Sequence, residues 1–360
     1  MRADGSAGGV APGEEASGGT EGDEELRDRI RGLAKPELHV HLDGSPRPST
    51  MLELARERGV ALPETEPEAL ARHMVPPPGG TLESYLTRFA LTIAVMQDAD
   101  ALERIAYELT EDHAREDVRY AEVRFCPALN TRGGLAADQV LDAVLRGLRR
   151  AESALGVRAA VIVCALRNLP LEHSVEMAEL AVSYRDRGVC GFDLAGAEHG
   201  NPVRDHGEAF DTARRHGLPV TIHAGEAFGP DSIRQALDFG GASRIGHGTR
   251  LGEDPELLAR VRDAGVTLEI CLTSNVQTGA ARTLGDHPLR GYLDAGLSVT
   301  LATDNRLVSG VTLTDEYVKA SRELGLTWDE LVGVARNGFA RAFAPAEVRA
   351  QMVGAFDAAL

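Results

Sequence analysis

Leu218-Pro-Val-Thr-Ile-His-Ala-Gly-Glu226 is an apolar, β-branched run that ends in an imidazole, two small residues and a carboxylate. Read as a strand, it delivers His223 and Glu226 together at its carboxyl end. A metal ligand and an acid side by side at a strand end make an active-site layout, although a histidine closing a strand also has an ordinary structural reading. What separates the two is whether other chemistry-bearing residues fall at equivalent positions.

Runs of the same kind recur along the chain. Glu37–Leu42, Val118–Phe125, Ala159–Ala165, Val189–Leu194, Pro219–His223, Arg244–Gly246, Thr267–Cys271 and Ser298–Ala302 read as strands, mostly separated by amphipathic helical stretches. Parallel neighbours need crossover connections, so this alternation gives an α/β protein, either a closed barrel or a doubly wound sheet. A helix is expected near Ser49–Arg58, followed by helical pattern to about Glu116 that breaks at Met74-Val-Pro-Pro-Pro-Gly-Gly80. Residues 1–23 are Gly, Ala, Ser and Glu with hardly an apolar residue, which predicts a disordered extension; an opening helix follows at about Glu24–Leu33. Residues 24–360 are expected to form a single domain.

The balance of 38 Lys and Arg against 55 Asp and Glu gives a formal charge of −17, which repels phosphate backbones and anionic membranes. Neither nucleic acid nor a membrane is expected as a partner, and the oligomeric state is left open. Cys126, Cys164, Cys190 and Cys271 lie far apart and form no CxxC pair, so they read as small buried hydrophobes in a reducing compartment. No apolar stretch approaches the roughly 20 residues of a membrane span. The N-terminus lacks the basic-then-apolar order of a signal peptide, and the expected location is cytoplasmic.

Polar residues unusual for a core fall at strand ends. His39 and His41 are spaced by two, which puts both on one face of the first strand. The fourth strand runs into Asp193-Leu-Ala-Gly196, the fifth into His223 and Glu226, the sixth into Gly246-His247-Gly248 and the eighth into Thr303-Asp304-Asn305. In a barrel these ends form one rim. Three imidazoles and an aspartate suit a borderline divalent ion such as zinc, and the expected ligands are His39, His41, His223 and Asp304. Singly, an HxH pair can be a satisfied half-buried couple and Asp304 a turn cap; four ligand types at four strand-end positions favour the metal. Such an ion brings the pKa of a bound water toward ~7. Glu226 is placed to deliver a proton to a substrate, and His247 either to orient the water or to take its proton.

These motifs resemble those of the adenosine deaminase family of barrel metallohydrolases. Glu37-Leu-His-Val-His-Leu-Asp-Gly, Asp193-Leu-Ala-Gly, His223-Ala-Gly-Glu, Arg244-Ile-Gly-His-Gly, Cys271-Leu-Thr-Ser-Asn and Thr303-Asp-Asn occur in the family's order and span about residues 35 to 345. The resemblance implies a (β/α)8 TIM barrel with extra helices after the first strand and at the C-terminus. It also implies one zinc ion per chain on His39, His41, His223 and Asp304, with hydroxide adding to purine C6. Glu226 would protonate N1, while His247 and Asp304 position the hydroxide; ammonia leaves and a 6-oxo purine remains. By the same resemblance the backbone N–H of Gly196 faces N3, Asp43 meets the ribose 5′-hydroxyl, and Leu82, Tyr85, Leu86 and Phe89 form an apolar helix closing over the nucleoside. His41 lies beside the substrate as well as the metal.

Two positions depart from the family pattern. Asn305 stands where many members carry an aspartate facing purine N7; an amide donates to N7 at any pH, whereas an aspartate must first be protonated. Leu272 replaces a frequent proline and is expected to have a local backbone effect only. Asp43 argues for adenosine and 2′-deoxyadenosine, since relatives acting on adenine tend to carry glutamate there. The alternatives are a deaminase of adenine or of a modified 6-aminopurine nucleoside, another barrel amidohydrolase, or a non-catalytic purine-binding protein. A two-metal amidohydrolase would usually need a carboxylated lysine at a middle strand, and Val118–Phe125, Ala159–Ala165 and Val189–Leu194 contain none. The PCxxC motif of cytidine-type zinc deaminases is also absent.

Overall fold

The structure is a computed structural model that describes residues 18–77 and 79–360. It opens with helix α1 (Gly18–Arg31) and strand β1 (Lys35–His41), followed by α2 (Pro48–Arg58), α3 (Pro67–Met74), α4 (Leu82–Leu86), α5 (Phe89–Val95) and α6 (Ala99–Ala114). Strand and helix then alternate through β2 (Val118–Phe125), α7 (Ala137–Leu155), β3 (Arg158–Leu166), α8 (Leu171–Ser183), β4 (Val189–Ala195), α9 (Gly207–Arg215), β5 (Thr221–Ala224) and α10 (Pro230–Gln235). The last strands are β6 (Arg244–His247), β7 (Thr267–Ile270) and β8 (Ser298–Leu301), with α11 (Pro255–Asp263) between the first two and α12 (Leu272–Gln277) and α13 (Leu289–Asp294) before the third. Helices α14 (Leu313–Leu324), α15 (Trp328–Arg341) and α16 (Ala346–Ala359) end the chain.

Strands β1 to β4 and β5 to β8 form two parallel ladders in sequence order. Parallel bridges Phe192–Val220 and Val40–Asp304 join them at both seams, so the strands form a ring. This is the (β/α)8 barrel, with the expected insertion as helices α2 to α6. All eight expected strands are present, displaced by no more than two residues at either end. The opening helix starts at Gly18 rather than Glu24, so the last six residues of the expected disordered extension are helical. Residues 1–17, the remainder of that extension, lie outside the described residues.

The barrel interior is not apolar throughout. Along β2, Tyr120, Glu122 and Arg124 share one face because side chains alternate. That face points inward, and all three are buried. Arg124 NH1 lies 3.0 Å from Asp193 Oδ2, and its NH2 donates to Glu269 Oε2 at 2.8 Å and to the Leu38 carbonyl at 2.7 Å. One layer lower, Arg244 donates through Nε to Glu269 Oε1 at 2.6 Å and through NH2 to Glu122. Desolvating these charges is costly, and their mutual pairing offsets it, with Arg124 Nε left without a hydrogen-bond partner. Apolar side chains such as Leu38, Val40, Val123, Ile222 and Leu268 alternate with them and face the helices.

Arg124→Met would remove one buried cation from two buried carboxylates, leaving Glu269 to Arg244 and His39 and Asp193 to His223. Its expected effect is a loss of about 3–5 kcal/mol of unfolding free energy, measurable by urea denaturation; a loss below about 1 kcal/mol would show that the interior charges contribute independently of Arg124.

Candidate active site

The carboxyl ends of the strands bring the sequence-identified residues to one place. His39 Nε2 and His41 Nε2 each lie 3.4 Å from Asp304 Oδ1, and His41 Nε2 lies 3.1 Å from His223 Nε2. Ligand nitrogens and oxygens around one ion at 2.0–2.1 Å are separated by about 3.3 Å in a tetrahedral arrangement. The spacings observed have that size. His39, His223, His247 and Asp304 also offer ligand atoms within 4.8 Å of one another, so His247 adjoins the same point from the β6 side.

Three of the four expected ligands, His39, His223 and Asp304, are held from behind. His39 Nδ1 pairs with Glu269 Oε2 at 2.8 Å, and His223 Nδ1 with the Asp193 carboxylate at 3.0 Å. Ser274 Oγ donates to Asp304 Oδ2 at 2.5 Å. Carboxylate-backed imidazoles with their other nitrogen free are the usual support of a metal centre. His39 Nε2 is fully buried and has no hydrogen-bond partner, a cost that a cation between it and Asp304 removes. Burial pushes Asp304 up, but the imidazoles of His39, His41 and His247 outweigh it and hold the carboxylate far below its ordinary range. Burial lowers His41, His223 and His247, favouring the neutral ring that ligation requires. The residues present therefore fit a divalent metal.

Two of these residues have left-handed backbones despite carrying side chains: His247 at φ 64° and Asp304 at φ 60°. Such conformations cost of order 1–3 kcal/mol each and persist only where surrounding structure enforces them. Asp304 is fixed by its N–H to the His39 carbonyl at 2.9 Å and by its carbonyl to the His41 N–H at 2.7 Å.

A cavity of about 330 Å³ opens above this cluster. His41, Asp43, Leu82, Tyr85, Leu86, Phe89, Gly196, His223, Glu226, His247, Asp304 and Asn305 all line it, whereas His39 lies beneath its floor. The candidate metal, catalytic and substrate residues read from the sequence thus all line this cavity except His39, which joins them through the metal-type cluster. Burial pushes Glu226 well above the usual carboxylate range, and the negative charges of Asp304 and Glu198 add to the effect. Asp43 is pushed up to about 7 mainly by burial, and its Oδ1 is buried without a partner. Gly196 is at φ 92°, and a Cβ there would meet Asn168 Oδ1 at 2.9 Å, so glycine lets the backbone reach the cavity wall.

Tyr85 does more than the apolar lid role expected of it. Its hydroxyl pairs with Ser309 Oγ at 2.7 Å and accepts from Asn305 Nδ2 at 2.8 Å, tying α4 to the end of β8. One of the two amide hydrogens of Asn305 is thus already committed to the lid. Asn305 Oδ1 lies over Gly44, where a Cβ would approach to 1.7 Å. Sequence reading also missed Glu198, which accepts four consecutive backbone N–H groups, from Gly225, Glu226, Ala227 and Phe228, at 2.6–3.1 Å. It fixes the loop that presents Glu226. Glu269 went unremarked as well, because one acid inside a strand pattern carries no signal of its partners.

A family model described as adenosine deaminase matches residues 34–359. The chain belongs to the adenosine deaminase family. An adenosine deaminase of Mycobacterium avium is 42% identical over 346 residues, covering 91% of this chain and 94% of that one. Among solved structures, an adenine deaminase from Arthrobacter aurescens superposes with a TM-score of 0.85 at 28% identity, covering 91% of this chain and 99% of the other. An amidohydrolase from Burkholderia ambifaria with bound Zn superposes with a TM-score of 0.84 at 25% identity, covering 92% of each chain. The chain is thus a metal-dependent hydrolase of the deaminase type.

Asp193→Asn and Glu269→Gln should each weaken divalent-metal affinity by about 10- to 100-fold, read by competition with a chromogenic chelator. Unchanged affinity in both would separate these carboxylates from the metal centre.

Proposed function

We propose that this enzyme hydrolytically deaminates adenosine and 2′-deoxyadenosine to the corresponding 6-oxo nucleosides and ammonia. The observation that carries the reading is the pairing, across one cavity, of a metal-type cluster with a buried carboxyl whose acid form burial favours. His39, His41, His223 and Asp304 would hold zinc, one ion per chain. When bound, the ion supplies hydroxide near neutral pH by acidifying water.

The protein's own groups do the rest. Glu226, protonated, faces the purine and donates to N1, drawing electron density from C6. The N–H of Gly196 supports N3. Asp43, buried and short of a hydrogen-bond donor, accepts from the ribose 5′-hydroxyl. The second amide hydrogen of Asn305 is available to N7 while the first holds Tyr85. Leu82, Leu86 and Phe89 cover the base and exclude water.

Adenine or an N6-modified 6-aminopurine is the second reading, favoured by the structural likeness to an adenine deaminase. Asp43 is what distinguishes it, since a free base offers no 5′-hydroxyl. Residues 24–360 act as one catalytic domain built on one ring. Among the described residues no helix is long and apolar enough to cross a membrane, and the four cysteines are unpaired, consistent with a cytoplasmic enzyme.

Formation of the 6-oxo purine from adenosine, deoxyadenosine, adenine and N6-methyladenosine, with ammonia released from the first three and methylamine from the last, tests the substrate directly; adenine reacting alone would overturn the nucleoside reading. Glu226→Gln is expected to lose about 10²- to 10⁴-fold in kcat with KM little changed. Because burial raises the Glu226 pKa, its ionisation should lower kcat/KM on the alkaline side, while protonation of the hydroxide nucleophile would set a separate acid limb. A rate that instead falls away above about pH 5, following an ordinary carboxyl, would remove Glu226 as the acid. Asp43→Ala should raise KM for adenosine but not for 5′-deoxyadenosine, and equal effects on the two would refute the 5′-hydroxyl contact.

A further inference from the structure

His247 has two conceivable jobs at the rim, donor or base, and lies close enough to the cluster to compete with His41 as a ligand. Its tautomer separates these possibilities, and the structure carries a chain of directional hydrogen bonds that sets it. The chain starts at the backbone N–H of Leu289, which donates to His287 Nδ1 at 3.1 Å. A backbone N–H can only donate, so His287 Nδ1 bears no hydrogen. His287 is buried, and burial lowers its pKa to about 3, so the ring is neutral and its hydrogen sits on Nε2.

That Nε2 lies 3.1 Å from Asn275 Oδ1, which accepts from it. The amide is thereby oriented, and its Nδ2 donates to His247 Nδ1 at 3.0 Å. Asn275 is fully buried and its backbone is fixed within α12, its N–H donating to the Cys271 carbonyl at 2.9 Å. No water-exposed rotor interrupts the sequence from Leu289 to His247. With Nδ1 accepting, neutral His247 must carry its hydrogen on Nε2, the nitrogen that faces the cluster and lies 3.7 Å from Glu226 Oε2.

We propose that Asn275 and His287 are positioning residues that lock His247 as the Nε2–H tautomer, making it a hydrogen-bond donor to the reacting oxygen. In that state Nε2 has no lone pair, so it neither ligates the metal nor takes a proton from water. The fourth protein ligand is then His41. His247 has a left-handed backbone at φ 64°, and its ring meets Asn275 through Nδ1 and faces Glu226 through Nε2. The chemical consequence of the lock rests on the deaminase reading; the tautomer itself does not.

The test uses the metal-loaded full chain labelled with ¹⁵N-histidine. Long-range ¹H–¹⁵N correlation, with His247 assigned by its loss in His247→Gln, should show Nδ1 of both His247 and His287 as unprotonated nitrogens. A protonated Nδ1 on His247 overturns the proposal whatever any variant does. Asn275→Asp is nearly isosteric, but its carboxylate cannot donate, so the His247 hydrogen should move to Nδ1. The expected result is a kcat loss on the order of a hundredfold or more, as for a catalytic histidine held in the wrong tautomer, with KM and metal content little changed. His287→Gln, whose amide can still donate to Asn275 Oδ1, should retain more activity than His287→Ala. Full activity in Asn275→Asp would refute the lock. An Nε2–H signal in a protein that deaminates no 6-aminopurine would leave the lock standing and remove the functional reading.

Discussion

The carboxylate of Glu269 is the interaction on which the rest of the barrel depends. Oε2 receives His39 Nδ1 and Arg124 NH2, each at 2.8 Å, and Oε1 receives Arg244 Nε at 2.6 Å and Thr221 Oγ1 at 3.0 Å. One side chain on β7 thereby binds groups from β1, β2, β5 and β6. Burial alone would drive this carboxyl toward its neutral form, but the two guanidinium groups outweigh it and keep it ionised. A buried charge survives only with its hydrogen-bonding capacity filled, and here filling it sets the orientation of His39. Stability of the interior and aim of the metal cluster are therefore one interaction.

Above that layer, rigidity comes from backbone as much as from side chains. Glu198 gathers four successive N–H groups, so the loop after β5 has one geometry and Glu226 one position. Asp304 and His247 sit in left-handed conformations, the first held by backbone pairing to His39 and His41 and the second flanked by Gly246 and Gly248. Strain stored at these two positions is offset by the packed ring beneath them. Groups held this firmly need no reorganisation when charge develops in a transition state, which is the source of electrostatic catalysis.

The substrate side is built from softer parts. Leu82 and Tyr85 are on a five-residue helix, and Phe89 begins the next, so the lid is two short helices linked to β8 through the Tyr85 hydroxyl. The barrel is shared with an adenine deaminase, and a shared fold does not by itself set the substrate. Asp43 and Asn305 line the cavity at the rim, beyond the interior charge network that holds the ring together.

The sequence by itself determined the strands, their order and the rim residues. Period-two alternation and β-branched runs are local properties, and a residue at a strand's carboxyl end needs only its own strand to be placed there. His39, His41, His223, Glu226 and Asp304 were legible for that reason, and the family's motifs assigned them roles. Only the tertiary structure decided the partners of Glu269, Arg124 and Arg244, because these pairs span up to 230 residues and exist only when the ring closes. It alone revealed that Tyr85 binds Asn305 and that His287 reaches His247 through Asn275. Directional hydrogen bonds between distant segments leave no periodic trace in a chain; they become readable once packing has fixed which donor faces which acceptor.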